Sequence, residues 1–591
     1  MKMSKRFAAL LTAGLLVMTP CVTVGMTAFA GAADTYTITV DGDNTGYTYT
    51  AYQILTGEVT DKSGTKVLSD IAFAPAIEAN KAAFLEALAG SALLKTGSAA
   101  DFNASMTAQD VANVLEGYQT SADKDTKLAE FARIAKAYVS STAEPAASPI
   151  TVTGSGYYLV EENSAPEGNV YSRFMMDVVG NATVYPKRDL PELTKKVTSP
   201  NANTAGTANS ASIGDTVSFE LNSDMPDMTG YVKYYYVIND TLAEGLTFDP
   251  ASVVVRIGDD TSDPLTLGTD YEVQTGTAAD GNTFQIVFKN FINRTEAKDT
   301  PIKVTYNAVL NENADCTKTG NLNTANLTYS NNPNKYAVGT PPDGDEPENP
   351  NDKTVVGKTT DQQTKTYSAN IQLNKVDDSD TPQKLTGAKF RIEGTGVKCV
   401  LLNGTAYEYT ADASGTYYKL TDGTYTETAP TAATQAQYTG YDSEKDSYAK
   451  YKLVEVNGIT TSTTYDDICK EAYVDENGVL IFKGLGPGEY TITEIEAPAG
   501  YNKLTTPITI KITNIDPNFD APDWAATKDG AAIEMDNTTA TVSFNVVNHE
   551  GNTLPSTGGM GTKLFYLVGG LLAVGSGVIL VTKKRMANNK K

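Results

Sequence analysis

Hydrophobic and polar residues alternate along much of this chain, which is the pattern of half-buried β-strands. The alternation is clearest in residues 191–338, where short runs rich in Val, Tyr and Thr are separated by Asn, Asp, Gly and Pro. This pattern predicts strands at 215–221, 231–239, 252–256, 284–289, 302–309 and 324–330. Their number and spacing predict a β-sandwich in the middle of the chain.

The region before this sandwich, residues 31–190, mixes two periodicities. Strand-like runs lie at its edges, at 36–40, 48–52, 156–160 and 175–185. Residues 76–140 between them are rich in Ala and place apolar residues at helical spacing. We therefore expect an N-terminal domain in which helices are inserted into a β frame.

A charged linker is expected at residues 339–365, because its Pro-, Asp- and Glu-rich portion cannot build a core. A second β unit is expected at 366–551, opening with a strand at 368–376 and closing with one at 539–548. Residues 396–470 inside it are polar and rich in Tyr, which indicates a long insertion. The predicted fold class is thus mainly β, with tandem sandwiches after a domain that carries helices.

Both ends of the chain have the features of targeting segments. Residues 1–30 combine a basic start, an apolar stretch and a small-residue cleavage site, which is typical of a secretory signal. Leu564–Val581 is an apolar run just long enough to span a bilayer, and a basic tail follows it. Upstream of it stands the pentapeptide Leu554, Pro555, Ser556, Thr557 and Gly558, and the pentapeptide, the apolar run and the tail together occupy residues 552–591. This arrangement resembles the LPxTG sorting signal of Gram-positive surface proteins, which a sortase cuts between Thr and Gly.

Composition excludes several classes of function. The net charge is −24, and both ends are basic, so the body of the protein is strongly acidic and repels nucleic acid. His549 is the single histidine, which disfavours a His-based hydrolase or metal site. We expect no metal and no cofactor. The mature chain keeps Cys316, Cys399 and Cys469, which do not form a disulfide framework, and whether Cys399 pairs with Cys469 stays open.

The C-terminal β unit places three reactive groups on inward stripes. Lys375 follows Ile371 and Leu373 at two-residue spacing, and the same spacing places Asn548 on the last strand and Glu494 on an earlier one. Burial disfavours the charged forms of an amine and a carboxyl. A neutral Lys375 amine can then attack the Asn548 carboxamide while protonated Glu494 polarises it. Ammonia leaves, and an isopeptide bond joins the first strand to the last.

The segment Tyr490–Tyr501, YTITEIEAPAGY, resembles the E-box YxLxETxAPxGY of sortase-assembled pilins and of collagen-adhesin B-type domains. It departs from that pattern at Ile492 and at Ile495, which replaces Thr. The resemblance implies an immunoglobulin-like sandwich and assigns isopeptide catalysis to Glu494.

The middle domain repeats this arrangement. Lys195 lies on the stripe of Leu193 and Val197, and Asn331 lies on the stripe of the closing strand. The segment Tyr236–Leu246 resembles the strand of collagen-adhesin A-type domains that carries the catalytic aspartate, which implies that role for Asp240. Lys196 and Asn332 are the register alternatives. In the N-terminal domain the run from Tyr157 to Glu161 lacks the spacing of the E-box, and no bond is expected there.

Val184–Lys187, VYPK, resembles the pilin motif of Gram-positive backbone pilins, whose lysine is the amine used for polymerisation. The resemblance implies that a pilus-class sortase joins Thr557 of one subunit to Lys187 of an identical one. A covalent homopolymer would follow, with minor pilins as partners and a housekeeping sortase transferring it to peptidoglycan. The expected location is a cell-surface pilus, retained in the membrane before cleavage. The expected role is structural rather than enzymatic, serving adhesion, with a host surface ligand as a further candidate partner. A monomeric wall-anchored adhesin is the main alternative.

Overall fold

The computed structural model of the chain describes residues 34–140, 143–167, 169–186, 188, 190–276, 281–335, 352–394, 400–403, 405–421, 425–456, 471–514, 517–552 and 560–588. Strands dominate these residues, as predicted, and helices lie in the N-terminal domain and at the C-terminus. The signal region, the proline-rich part of the linker, Cys399 and Cys469 lie outside the described residues.

The N-terminal domain combines two main sheets and the short β4-β5 hairpin with a layer of helices, which confirms the mixed pattern. The sheets have the strand orders β6-β1-β9 and β3-β2-β7-β8. Helix α3 begins at a capping box, in which the Thr107 hydroxyl accepts from the Asp110 amide and the Asp110 carboxylate accepts from the Thr107 amide. The elements are β1 (Thr35–Val40), β2 (Thr48–Lys62), β3 (Thr65–Phe73), α1 (Pro75–Glu78), α2 (Lys81–Gly90), β4 (Lys95–Thr96), β5 (Ala99–Ala100), α3 (Ala108–Tyr118), α4 (Lys124–Tyr138), β6 (Ile150–Thr153), β7 (Gly156–Ser164), β8 (Arg173–Val178) and β9 (Ala182–Val184).

The middle domain is a sandwich of two sheets with the orders β10-β12-β17-β14 and β11-β20-β18-β13-β16-β15, in which β19 also pairs with β18. Alternate residues of β12 and β17 are buried, so period-two patterning places one face of the sheet on the core. The strands are β10 (Thr194–Ser199), β11 (Ala208–Ser210), β12 (Thr216–Asp224), β13 (Tyr236–Leu242), β14 (Leu246–Ile257), β15 (Tyr271–Thr275), β16 (Phe284–Phe288), β17 (Pro301–Leu310), β18 (Asn321–Ser330), β19 (Val356–Lys358) and β20 (Gln362–Tyr367).

The last two of these strands occupy residues that the composition placed in the linker. Strand β20 pairs antiparallel with β18 and parallel with β11, so this part of the chain belongs to the middle sandwich. The strand is polar, and it buries Thr364 and Thr366 rather than aliphatic side chains. Hydropathy alone therefore does not predict strand β20, because main-chain hydrogen bonds to β18 and β11 hold it in the sheet.

The C-terminal domain has two main sheets, with the orders β23-β31-β21-β37-β36 and β29-β24-β30-β22-β32-β33-β34-β35. Strands β21 and β37 are parallel neighbours, with Lys375 opposite Val546 and Asp377 opposite Asn548. The elements are β21 (Ala369–Asp377), β22 (Lys389–Glu393), β23 (Val400–Asn403), β24 (Thr405–Ala411), β25 (Tyr418–Lys419), β26 (Tyr425–Thr426), β27 (Tyr441–Asp442), β28 (Ser447–Tyr448), β29 (Tyr451–Val456), β30 (Glu471–Tyr473), β31 (Val479–Leu485), β32 (Gly488–Glu496), β33 (Ile508–Asn514), β34 (Trp524–Lys528), β35 (Ala531–Ile533), β36 (Met535–Asp536), β37 (Thr541–Asn548) and α5 (Met560–Asn588).

The middle and C-terminal domains are joined by direct hydrogen bonds. The Ile213 amide donates to the Gly484 carbonyl at 2.9 Å, and the Asn514 side chain donates to the Ser210 hydroxyl at 2.6 Å. Gly484 has φ of +80°, and a Cβ there would lie 2.2 Å from the Ile213 side chain. Glycine is therefore required at this position, both for its backbone conformation and for the close approach of the two domains.

Candidate functional site: two buried lysine, acid and asparagine clusters

The middle-domain cluster is built on strands from both sheets of the sandwich. Strand β10 places Lys195 inward, as its alternation with exposed Lys196 predicts, and β13 places Asp240 inward. The Lys195 Nζ atom lies 2.6 Å from Asp240 Oδ2, and both side chains are wholly buried. A buried ion pair of this kind gains little stability over apolar packing, which favours a chemical role.

Two further residues complete this cluster. The Tyr306 hydroxyl on β17 lies 2.7 Å from Lys195 Nζ and 2.6 Å from Asp240 Oδ2. The Asn323 side-chain nitrogen on β18 donates to the same hydroxyl at 2.8 Å. Asn323 is fully buried, and its side-chain carbonyl oxygen has no hydrogen-bond partner among the described residues. The structure therefore brings Lys195, Asp240 and Asn323 together.

Asn331, which the sequence stripe assigned as the partner of Lys195, lies elsewhere. Its side-chain nitrogen donates to the carbonyl oxygens of Asn169 at 3.1 Å and Lys353 at 3.2 Å, at the joint with the N-terminal domain. The physical reason is register, because Asp240 faces Ala325 and Leu242 faces Asn323 across the β13–β18 pair. Asn323 shares the inward stripe with Ala325 and Leu327, but it lies toward the opposite end of the strand from Asn331.

Neither register alternative joins the cluster. Lys196 points outward and is exposed. The Asn332 side chain donates to the Thr354 carbonyl.

The C-terminal cluster combines Lys375 on β21, Glu494 on β32 and Asn548 on β37, all nearly or completely buried. Both Glu494 carboxylate oxygens accept from the Asn548 side-chain nitrogen, at 2.9 and 3.1 Å, and one also accepts from the Leu504 amide at 2.7 Å. Lys375 Nζ donates to the carbonyls of Val376 at 3.1 Å and Val546 at 2.9 Å. Lys375 and Asn548 are diagonal neighbours on the inward face of the parallel pair, within reach of a long side chain.

Burial shifts the lysines in both clusters toward the neutral amine. Desolvation lowers the pKa of Lys375 to about 8, against the smaller opposing effects of Glu494 and Asp377. It also lowers the pKa of Lys195 and raises the pKa of Asp240, although the attraction between the two opposes both shifts. Each site can therefore hold an uncharged amine beside a buried carboxamide. The side-chain carbonyl oxygen of Asn548, like that of Asn323, has no partner among the described residues.

The acidic residues at the end of β7 in the N-terminal domain form ion pairs. Glu161 pairs with Lys136 of helix α4, and the neighbouring Glu162 pairs with Arg188. The Arg188 guanidinium also donates to the Tyr49 hydroxyl at 2.6 Å and stacks on the Tyr47 ring at 3.6 Å from its centroid. Arg188 directly follows Lys187, which lies outside the described residues.

The sorting pentapeptide Leu554–Gly558 also lies outside the described residues. The helix beyond it, α5, contains the span Leu564–Ala587, whose mean hydropathy of 2.3 and length suffice to cross a membrane. Cys316 is a buried free thiol. No cluster of His, Cys, Asp and Glu suited to a metal ion occurs in the parts of the chain that the structure describes.

Three segments match models of known protein families. Residues 213–333 match the Gram-positive pilin backbone subunit 2, Cna-B-like domain, and residues 434–521 match a prealbumin-like fold domain. Residues 546–588 match the LPXTG cell wall anchor motif. The middle-domain match thus describes a B-like domain, whereas the resemblance at Tyr236–Leu246 predicted the A type.

Whole-chain comparisons give relatives of similar length. The chain is 26% identical over 428 residues to the trypsin-resistant surface T6 protein of Streptococcus pyogenes serotype M6, covering 68% of this chain and 70% of the relative. It is similar to the solved T6 backbone pilin of serotype M6 S. pyogenes, with 18% identity and a TM-score of 0.47. The match covers 88% of this chain and 100% of the T6 pilin chain. It is also similar to the full-length major pilin SpaD of Corynebacterium diphtheriae, with 16% identity and a TM-score of 0.40. This match covers 89% of this chain and 99% of the SpaD chain.

The anchor motif followed by an apolar helix defines a wall-anchored surface protein, held in the membrane before cleavage. Its pilin-type domains make the chain similar to the backbone pilins of Gram-positive bacteria.

Proposed function

We propose that a pilus-class sortase polymerises this backbone pilin by joining Thr557 of one subunit to Lys187 of the next, and that each subunit contains two internal Lys–Asn isopeptide bonds. The bonds are Lys375–Asn548, formed with Glu494, and Lys195–Asn323, formed with Asp240. Head-to-tail joining of identical subunits gives an open filament. A housekeeping sortase then transfers the filament to peptidoglycan, and minor pilins complete it.

The internal bonds are supported by one observation: two separate sandwiches each bury a lysine, an acid and an asparagine. Each of the six side chains is almost completely inaccessible to solvent. A buried amine that remains charged and imperfectly paired costs several kcal/mol. Converting it to an amide removes that cost permanently. Each bond would also close a long loop and remove roughly 5 kcal/mol of unfolded-chain entropy, by analogy with a disulfide.

Polymerisation through Lys187 is supported by the elements around it. Strand β9 ends at Val184, Tyr185 is 75% exposed, and Arg188 is held by the buried Glu162. The motif lysine therefore lies between an exposed tyrosine and a firmly anchored arginine. Anchoring of the neighbouring arginine limits the entropy lost when a sortase binds this segment.

The test is a denaturing gel of cell-wall extract from strains with wild-type, Lys187→Ala and Lys196→Ala pilin. Lys196 is an exposed lysine close by in the chain and serves as the matched control. A ladder of very large species in wild type and Lys196→Ala that collapses to monomer in Lys187→Ala supports the proposal. A ladder that survives in Lys187→Ala contradicts it, and a wild type without any ladder favours a monomeric adhesin.

A further inference from the structure

We propose that Tyr306 is a catalytic residue of the middle domain, which transfers a proton from Asp240 to the side-chain nitrogen of Asn323 as the Lys195–Asn323 bond forms. This role rests on the proposed function, because it concerns the same bond. It adds a fourth member to the lysine, acid and asparagine set.

The Tyr306 hydroxyl contacts all three reacting groups. It lies 2.7 Å from Lys195 Nζ, 2.6 Å from Asp240 Oδ2 and 2.8 Å from Asn323 Nδ2. These are hydrogen-bond distances. The hydroxyl therefore bridges the acid and the nitrogen that must leave as ammonia.

The ring of Tyr306 is held rigidly, so the position of its hydroxyl is well defined. It stacks on Phe219 with centroids 5.1 Å apart and meets the Phe284 ring edge-on at 5.1 Å. The side chain is 1% exposed. A proton carrier fixed in this way needs little reorganisation during the reaction.

Comparison of the two clusters shows why the middle domain needs this hydroxyl. In the C-terminal domain, Glu494 itself accepts from the side-chain nitrogen of Asn548. In the middle domain the acid is an aspartate, shorter by one methylene. Its Oδ2 contacts Lys195 and Tyr306, whereas its Oδ1 has no partner among the described residues. Tyr306 thus occupies the gap between the acid and Asn323.

The reaction needs only the side chains of this cluster and no external proton donor or acceptor. A proton passes from the Lys195 ammonium to Asp240, and the freed Nζ lone pair forms a bond to Cγ of Asn323. Tyr306 gives its hydroxyl proton to Nδ2 and takes one from Asp240. The Cγ–Nδ2 bond then breaks, ammonia leaves, and the new amide returns its surplus proton to Asp240. Burial and the Asp240 charge raise the pKa of Tyr306, so the phenol holds its proton in the resting site.

The test compares wild type with Tyr306→Phe in the full-length chain. Pulse-labelled protein is digested, and mass spectrometry follows the two cross-linked peptide pairs over time. The phenylalanine retains the ring packing and removes only the hydroxyl. We expect the Lys195–Asn323 bond to form about a hundredfold more slowly or worse, in line with the loss of a general acid, while the Lys375–Asn548 bond keeps its wild-type rate.

A second comparison separates chemistry from packing. Asn323→Ala and Asn323→Ala/Tyr306→Phe are both unable to form the bond, and we expect their melting temperatures to differ by only a few degrees, the cost of the lost hydroxyl hydrogen bonds. A large drop in the double variant would overturn the inference, because Tyr306 would then act through stability. Bond formation at the wild-type rate in Tyr306→Phe would overturn it as well. A wild type without the Lys195–Asn323 peptide would instead refute the proposed bond itself.

Discussion

The side-chain nitrogen of Asn331 lies 3.1 Å from the carbonyl oxygen of Asn169, so one asparagine at the end of the middle sandwich holds the preceding domain. The main chain strengthens this joint, because the Tyr171 amide donates to the Asn331 carbonyl at 2.8 Å. Asn331 is fully buried. It therefore serves the joint between domains rather than the cluster around Lys195.

The first prediction concerns this joint. Replacing Asn331 with Ala removes two partly buried hydrogen bonds, each worth about 1 kcal/mol net, so local opening should become about thirtyfold more frequent. Amide hydrogen exchange of the peptide containing Tyr171 measures this opening directly. An unchanged exchange rate would show that the side chain contributes nothing to the joint.

The second prediction contrasts two asparagines of one strand region. Asn323→Ala should abolish the Lys195–Asn323 cross-linked peptide and lower the free energy of unfolding of the middle domain by roughly 5 kcal/mol. Asn331→Ala should keep the cross-linked peptide, which makes it the matched control. Peptide mass spectrometry and denaturant titration provide the two readouts. Loss of the bond in Asn331→Ala but not in Asn323→Ala would reverse the assignment.

The third prediction tests Glu494. Glu494→Ala removes the group that both contacts the leaving nitrogen of Asn548 and supplies the acid. The subunit should then retain the mass of one ammonia after correction for the substitution, and the middle-domain bond should be unaffected. Intact-mass measurement decides this. An Lys375–Asn548 bond formed at the normal rate in this variant would show that Glu494 is dispensable.

The fourth prediction is a dependence of stability on pH. In Asn548→Ala the Lys375 amine stays free, and burial lowers its pKa in the folded state to about 8, from an ordinary value of 10.5. The unfolded state then binds more protons between these values, so stability should rise with pH across this window, by about 3 kcal/mol at most. Below pH 8 the full cost of burying the ammonium remains.

Wild-type protein is the control for this titration, since an amide-linked Lys375 cannot ionise. Denaturant titrations of both proteins from pH 7 to about 10.5 give the difference between their free energies of unfolding at each pH. A constant difference across that range would show that Lys375 is not a buried free amine in the variant.

The fifth prediction concerns the support of the polymerisation segment. Arg188→Ala leaves the buried Glu162 carboxylate without its ion-pair partner, which should destabilise the N-terminal domain by about 3–5 kcal/mol. Arg188→Ala/Glu162→Gln should recover part of this loss, because no charge is then left unpaired. Thermal unfolding compares the variants. Equal destabilisation in both would assign the effect to lost packing on Tyr47 instead.

Sequence alone identifies much of the C-terminal site. Two-residue spacing places Lys375, Glu494 and Asn548 on inward stripes, and the structure buries all three. The spacing succeeds here because each reactive residue lies near the end of a strongly alternating strand. The same spacing also places Lys195 inward, and Asp240, which is assigned by resemblance, is buried beside it.

Spacing fails where several residues share a stripe. Asn323 and Asn331 both fit the closing strand of the middle domain, and only the pairing register with β13 distinguishes them. Tyr306 is hidden for another reason, since an aromatic residue between Val304 and Ala308 looks like ordinary core. Its role depends on which groups meet its hydroxyl, and these come from strands distant in sequence.

The parallel pairing of β21 and β37 has a mechanical consequence. The chain enters β21 at one end of the pair and leaves β37 at the other, so in the proposed polymer tension between neighbouring subunits would pull these strands past each other lengthwise. Their hydrogen bonds are then loaded together, in shear, rather than opened one by one as in a zipper. The strands between them in sequence, including the tyrosine-rich hairpins, branch off beside this line of force. They can therefore change in length or composition without making the proposed fibre more extensible.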